Sequence, residues 1–228
     1  MLKGFSLQKS SYDFETGTVD FVVSEYQRLN VSIKTKRLEI RSIDINTDLN
    51  NFYSKLYGNS DVMKSCAWGV PFSKEKVTTQ MYLWNTQAEA KNPFSTLCVN
   101  FNTENNGDFL GAIGFEPMTT WPNNCLPEDM TAHNTAELCY LYQKSSWGQG
   151  IGNEAAQSIV NGYALALQQE GYTIPPIENE EPKQLTYIYA TAREDNRGSC
   201  RILEKCGLKH EDNQEIYGAD RRIYWKKI

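Results

Sequence analysis

Trp147-Gly148-Gln149-Gly150-Ile151-Gly152-Asn153-Glu154-Ala155 sets glycines at alternate positions between a run that reads as a strand and one that reads as a helix. The strand candidate is Ala136 to Tyr142, and the helix candidate runs from about Ile151 to Gln169. Glycine permits positive φ and lets a ligand approach backbone N–H groups without meeting a Cβ. The unpaired N–H groups at a helix start, together with the helix dipole, attract an anion. Strand, glycine turn and helix in this order predict a loop that holds phosphate. The plain alternative is a tight strand-to-helix connection with no ligand.

Spacing narrows the phosphate ligand. A P-loop ends in Gly-Lys-Ser or Gly-Lys-Thr, and Ile151-Gly152-Asn153 supplies neither. The dinucleotide fingerprint asks for glycine where Asn153 stands and for an acidic residue at the end of the next strand. Here the next strand candidate follows only after a long polar loop. Further on, Asn196-Arg197-Gly198-Ser199 precedes Leu203-Glu204-Lys205-Cys206-Gly207-Leu208.

From Lys36 to Ile228 these motifs resemble the GNAT superfamily of N-acetyltransferases. The glycine loop resembles that family's R/Q-x-x-G-x-G/A, with Trp147 in the first position as in the ribosomal-protein N-terminal acetyltransferase branch. Glu137-Leu138-Cys139-Tyr140-Leu141-Tyr142 is similar to that branch's E-I-G-Y-x-L strand, with Cys139 where glycine is usual. The downstream motifs look like N-x-x-S and L-E-K-x-G-F.

The resemblance implies acetyl-CoA as acetyl donor, with no metal. The pyrophosphate would rest on the loop formed by Trp147, Gly148, Gln149, Gly150, Ile151, Gly152 and Asn153. Backbone groups at Tyr140, Leu141 and Tyr142 would bind the pantetheine arm, and an N–H there would polarise the thioester carbonyl. Tyr140 as a purely buried aromatic is the competing reading. Glu137 occupies the position of a general base for the amine, with Glu116 its rival and an ordinary strand glutamate the alternative. The family's tyrosine acid falls at Leu203, so that donor is absent. Ser199 aligns with a serine near the thiol. Asn196 aligns with a cofactor-contacting asparagine and equally suits a helix N-cap. Glu154 reads as a favourable charge at the helix start, and Arg201 and Lys205 as surface charges.

Size and charge bound the remaining possibilities. The chain has 228 residues, 40% hydrophobic content and a formal net charge of −5. These figures suit one large domain with a sizeable core and disfavour a general nucleic-acid binder. No apolar run reaches the length of a membrane span and no signal peptide is evident, so a soluble, cytoplasmic protein is expected. The 6 cysteines lack C-x-x-C pairs and the 2 histidines are far apart, which disfavours zinc. Cys98 and Cys139 read as small core residues.

Residues 1–35 are expected to form an N-terminal extension, with Val19 to Val23 a strand or part of a helix. Residues 36–228 are expected to form the acetyltransferase domain. Arg37 to Ile43 alternates as a first strand, and Asp44 to Tyr57 shows helical spacing. A second helix starts at the N-cap Ser73 and places Val77, Met81 and Trp84 on one face. Phe94 to Asn102 and Phe109 to Met118 form a hairpin through Asn106-Gly107. The 119–135 connection, with Trp121, Pro122 and Cys125, is a candidate lid or a surface insertion. Ile151, Ala155, Ile159, Tyr163 and Leu167 make a core stripe. An acidic loop with Glu178, Glu180 and Glu181 precedes the strand from Leu185 to Ala192. A helix from Asn196 and a closing hairpin complete the chain.

The expected architecture is a mixed α/β (α+β) GNAT-like fold, with a strongly bent, mostly antiparallel sheet and helices on both faces. The expected activity is acetyl transfer from acetyl-CoA to a primary amine, in a monomer or homodimer. The acceptor is a protein N-terminus or lysine, or else a small amine such as a polyamine, amino acid or aminoglycoside. A CoA-binding domain without catalysis is the reading from another class. No specific nucleic acid or membrane partner is expected.

Overall fold

The computed structural model describes residues 8–24, 26–105, 107–118, 126–175 and 181–228. Strands β1 (Gln8–Phe14), β2 (Gly17–Val23), β3 (Leu29–Lys34) and β4 (Leu38–Arg41) open the chain. Helix α1 (Ile45–Asn51) continues as a π-helical turn over Phe52–Tyr57, followed by α2 (Ser60–Met63) and α3 (Lys74–Glu89). Strands β5 (Thr96–Phe101), β6 (Phe109–Pro117) and β7 (Thr135–Tyr142) come next. Helix α4 (Ile151–Ser158), a π-helical turn over Ile159–Tyr163 and α5 (Ala164–Gln169) form one continuous rod. A short ribbon of β8 (Thr173–Ile174) and β9 (Lys183–Gln184) precedes β10 (Tyr187–Arg193), α6 (Arg197–Lys205), β11 (Lys209–Ile216) and β12 (Ala219–Lys227).

The main sheet has ten strands in the order β1-β2-β3-β4-β5-β6-β7-β10-β12-β11. Every neighbouring pair in it is antiparallel except β7 with β10. That parallel pairing covers only Tyr187↔Thr135, Ile188↔Ala136 and Tyr189↔Glu137. Beyond Glu137, β7 stays paired with β6 as far as Tyr142, while β10 stays paired with β12 as far as Arg193. The two central strands therefore separate in the middle of the sheet, leaving a row of strand peptide groups without a ladder partner on one side.

Helices cover both faces, as the resemblance implies. The α4–α5 rod buries Ile151, Ala155, Ile159, Tyr163 and Leu167 on one face, with Leu203 of α6 beside them. Phe52, Leu56, Val77, Met81 and Trp84 pack against Cys98, Phe109 and Ala112 on the other. Each fully buried aromatic of this kind contributes about 1.5–3 kcal/mol of burial free energy. Alternation along β7 sends Leu138 and Tyr142 into the first layer and Leu141 toward the second. Buried Asp48 receives both terminal nitrogens of Arg41, each at 2.8 Å, tying α1 to the sheet.

The described part of the expected N-terminal extension packs on the rest of the chain. Residues 8–34 form β1, β2 and β3 of the same sheet, and Val19 to Val23 lies in a strand. Val19, Phe21, Leu29 and Ile33 join the core against the α4–α5 rod. Phe21 stacks on Tyr163 with ring centroids 5.8 Å apart, and Tyr12 donates to Glu170. Thr119 to Cys125 of the candidate lid, Glu178 and Glu180 of the acidic loop, and Asn106 of the hairpin turn lie outside the described residues. Among the described residues no helix is long and apolar enough to cross a membrane.

Candidate active site

A cleft of about 1120 Å³ opens where β7 and β10 separate. Its floor is the unpaired length of β7, one end is the glycine loop, and α6 forms a wall. Gly148 and Gly150 adopt φ of +74° and +77°, and Gly150 is the left-handed N-cap of α4. A β-branched residue is strained there, which is why the turn uses glycine. Among the described residues, the N–H groups from Gly148 to Asn153 have no hydrogen-bond acceptor. Gly152 serves a different need, because a Cβ there would come within 2.8 Å of Ile202 Cδ1. Its role is the close approach of α4 to α6.

Other groups hold the loop in shape. Trp147 Nε1 donates to Tyr142 O at 2.9 Å, and Arg37 donates to Gln149 O at 3.1 Å. Glu154 accepts from Thr35 Oγ1 at 2.5 Å, Arg37 N at 2.9 Å and Arg37 Nε at 2.6 Å. Burial alone would raise the Glu154 pKa, but the hydrogen bonds from Thr35 and Arg37 outweigh it and hold the carboxyl below its ordinary value. Glu154 is thus a clamp between the β3–β4 turn and α4, beyond the dipole role read from sequence.

The loop has the properties of an anion cradle. Its N–H groups lack acceptors among the described residues, and a Cβ at Gly148 would meet nothing within 4 Å. Tyr142 Oη and Asn153 Oδ1 are buried without partners, and both residues line the cleft. Arg197, Arg201 and Lys205, at successive turns of α6, also line it. The latter two are exposed, as the sequence reading has them, and border the cleft. The residues present fit a phosphorylated ligand with a long polar arm.

The expected site residues line one cleft, divided between the two faces of the sheet, except Gln149, whose side chain donates to Ser145 O. Tyr140 reaches the α6 side, where its hydroxyl lies 2.7 Å from Ser199 Oγ. Asn196 caps α6 by accepting from Ser199 N at 3.1 Å, and Leu203 is fully buried. Burial pushes the Tyr140 phenol well above its ordinary pKa, against the Ser199 hydrogen bond, so it stays protonated. The pairing of Tyr140 with Ser199 is not legible in sequence.

Glu137 faces the other part of the cleft and stands directly across the ladder from Glu116. Glu116 accepts from Trp84 Nε1 at 3.2 Å and Thr96 Oγ1 at 2.8 Å. Burial, and next the Glu116 carboxylate, push the Glu137 pKa up to about 7, with Arg221 opposing. Cys139 lines the cleft on this side and is only partly buried, which corrects its reading as a core residue. Arg221, Tyr57 and Trp68 complete this part of the lining, and sequence reading singled out none of them. Among the described residues no cluster of His, Cys, Asp or Glu could hold a metal ion.

Comparison with known proteins identifies the family and the fold. A family model described as the acetyltransferase (GNAT) domain matches residues 37–209. A GNAT-family acetyltransferase from Bacillus anthracis is 21% identical with a TM-score of 0.59, covering 86% of this chain and 97% of its own. A spermidine N-acetyltransferase from Vibrio cholerae, solved with CoA and spermine, is 15% identical with a TM-score of 0.60, covering 83% and 95%. A ribosomal L7/L12 alpha-N-protein acetyltransferase in complex with coenzyme A is 16% identical with a TM-score of 0.61, covering 85% and 96%. At such identities these structures share the fold with this chain. A search of the curated proteins finds no match. The family match spans the glycine loop, β7 and α6, and the chain belongs to the GNAT family of acetyltransferases.

Proposed function

We propose that the protein transfers the acetyl group to a primary amine held over Glu137. The observation that supports this best is an unpaired carboxyl with a pKa near 7, facing the cleft where β7 leaves β10. Acetyl-CoA supplies the acyl carbon as a thioester, an activated form that an amine can attack. The N–H groups from Gln149 to Asn153 hold the pyrophosphate, and Arg197, Arg201 and Lys205 add cations beside it. Peptide groups at Tyr140, Leu141 and Tyr142 bind the pantetheine arm, and one N–H stabilises charge on the thioester oxygen.

Glu137 removes the proton from the incoming ammonium group. A base with pKa near 7 is ionised in half its molecules at neutral pH while still holding a proton well. Glu116 serves Glu137 as a neighbouring charge fixed by Trp84 and Thr96. As the nitrogen–carbon bond forms and the carbon–sulfur bond breaks, the Tyr140–Ser199 hydroxyl pair delivers a proton to the departing sulfur. Solvent restores that proton, and Glu137 passes its first proton to solvent and takes the second nitrogen proton as the adduct collapses to amide and free thiol. This pair takes the place of the tyrosine that the family has where Leu203 stands.

The test is calorimetric titration with acetyl-CoA, with NAD and ATP as controls, followed by thiol release across a panel of amines. Selective acetyl-CoA binding and amine-dependent thiol release are expected. Tight binding with no release for any amine would instead indicate a binding domain.

A further inference from the structure

Arg221 is only 6% exposed and lines the cleft opposite the glycine loop, on the strand pair that closes the chain. Its Nε donates to Thr191 Oγ1 at 2.8 Å and one terminal nitrogen reaches Thr191 O at 3.4 Å. These bonds fix the guanidinium plane but supply no opposite charge. Among the described residues no carboxylate pairs with it. Its neighbour Arg222 behaves differently, pairing with Glu194 at 3.5 Å and Glu204 at 3.9 Å. A desolvated guanidinium with free donors attracts an anion strongly, and its fork matches a carboxylate.

Glu137 lines the same cleft and makes no hydrogen bond among the described residues. Strand β10 lies between β7 and β12, and Arg221 pairs with Arg193, four residues along β10 from the Glu137 partner Tyr189, so the two backbones are offset by about 10 Å across the sheet and about 13 Å along it before their side chains lean into the cleft. The long Arg221 side chain runs back along the sheet to Thr191, two residues from Tyr189, the partner of Glu137 in the ladder. A carboxyl and a guanidinium that sense each other's charge without forming an ion pair thus face one space. Arg221 lies beyond residue 209, where the family match ends.

We infer that the acceptor is a small zwitterion, whose amine sits on Glu137 while its carboxylate is gripped by Arg221. The inference rests on the acetyl-transfer reading of this cleft and adds the acceptor class. A free amino acid or close analogue has this charge pattern. A polyamine or aminoglycoside has no anion to offer Arg221 and would leave it buried and unpaired, a cost that discriminates strongly.

The experiment compares kcat/KM for a panel of free α-amino acids with that for the matching α-amides and for spermidine, in wild type and in Arg221→Met and Arg221→Lys. Wild type is expected to favour carboxylate over amide, and Arg221→Met to cut that preference about 10- to 100-fold. Arg221→Lys should restore part of it, since charge returns without the fork. Acetyl-CoA titration of each variant reports whether it is folded. Equal use of acids and amides by wild type, or a preference unchanged in Arg221→Met, would overturn the zwitterion inference while leaving acetyl transfer intact. No turnover with these amines, nor with a panel of peptides and aminoglycosides, would overturn the acetyl-transfer reading itself.

Discussion

Glu116 and Glu137 are direct partners across the β6–β7 ladder, so two carboxyls share one face of the sheet at the floor of the cleft. Like charges at such close quarters disfavour ionising both. Glu116 has two donors, from Trp84 and Thr96, and Glu137 has none among the described residues. The proton therefore resides on Glu137 until pH approaches about 7. This asymmetry distinguishes a base from its neighbour without any difference in residue type.

Its consequence for rate is an acid limb. Glu137 must be ionised to accept a proton, so kcat/KM should rise with pH through about 7. Glu116→Gln removes a charge that raises the Glu137 pKa, so the limb should move to lower pH. A pH–rate profile checks both, and a limb shifted upward in Glu116→Gln would count against the pairing.

Stability should follow the same proton. The folded state holds the Glu137 carboxyl at about 7 against an ordinary value of 4.5, so the folded chain binds the proton more tightly. Stability from this group is full below the ordinary value and declines as pH rises toward the folded value. Glu137→Gln keeps the neutral form, so its stability relative to wild type should improve between pH 5 and pH 8, windows set by those two values. Urea melts at the two pH values measure the change.

At the glycine loop, Gly150→Val should weaken acetyl-CoA binding far more than Gln149→Ala. Val is strained at a φ of +77°, whereas Gln149 contributes chiefly its backbone N–H. Calorimetry that gave equal losses would contradict the backbone cradle.

The clamp behind the loop is testable separately. Glu154→Ala removes the acceptor for Thr35 and Arg37 and should cost about 1–2 kcal/mol of stability. Arg37 also donates to Gln149 O, so acetyl-CoA affinity should fall as well, although Glu154 itself faces the clamp. Denaturant melts and titration together measure the two effects.

Tyr140→Phe and Ser199→Ala should each lower kcat, on the order of 10²-fold if the pair supplies the proton. Because one hydrogen bond joins them, the double variant should be little worse than the poorer single variant. Full additivity in kcat would separate their roles.

Much of this was legible in the chain because it depends on local pattern. Gly148 and Gly150 announce a positive-φ turn, the Ile151 to Leu167 stripe announces a buried helix, and Ser73 and Asn196 announce their caps. What sequence hid depends on distant register. Glu154 meets Arg37 across 117 residues, and Tyr140 meets Ser199 across 59. The separation of β7 from β10 leaves no periodic trace, because each strand keeps its other neighbour. Residues 8–34 lack a catalytic pattern, yet their alternation completes the sheet. Arg221 looks like any strand arginine until its missing partner is seen beside the paired Arg222.

The most direct test of acetyl transfer over Glu137 is amine-dependent thiol release from acetyl-CoA by wild type and Glu137→Gln at pH 8, with acetyl-CoA affinity measured in parallel. The predicted result is release by wild type, a loss on the order of 10²-fold in Glu137→Gln, and unchanged acetyl-CoA affinity. Release by Glu137→Gln at the wild-type rate would contradict the assignment of Glu137 as the base.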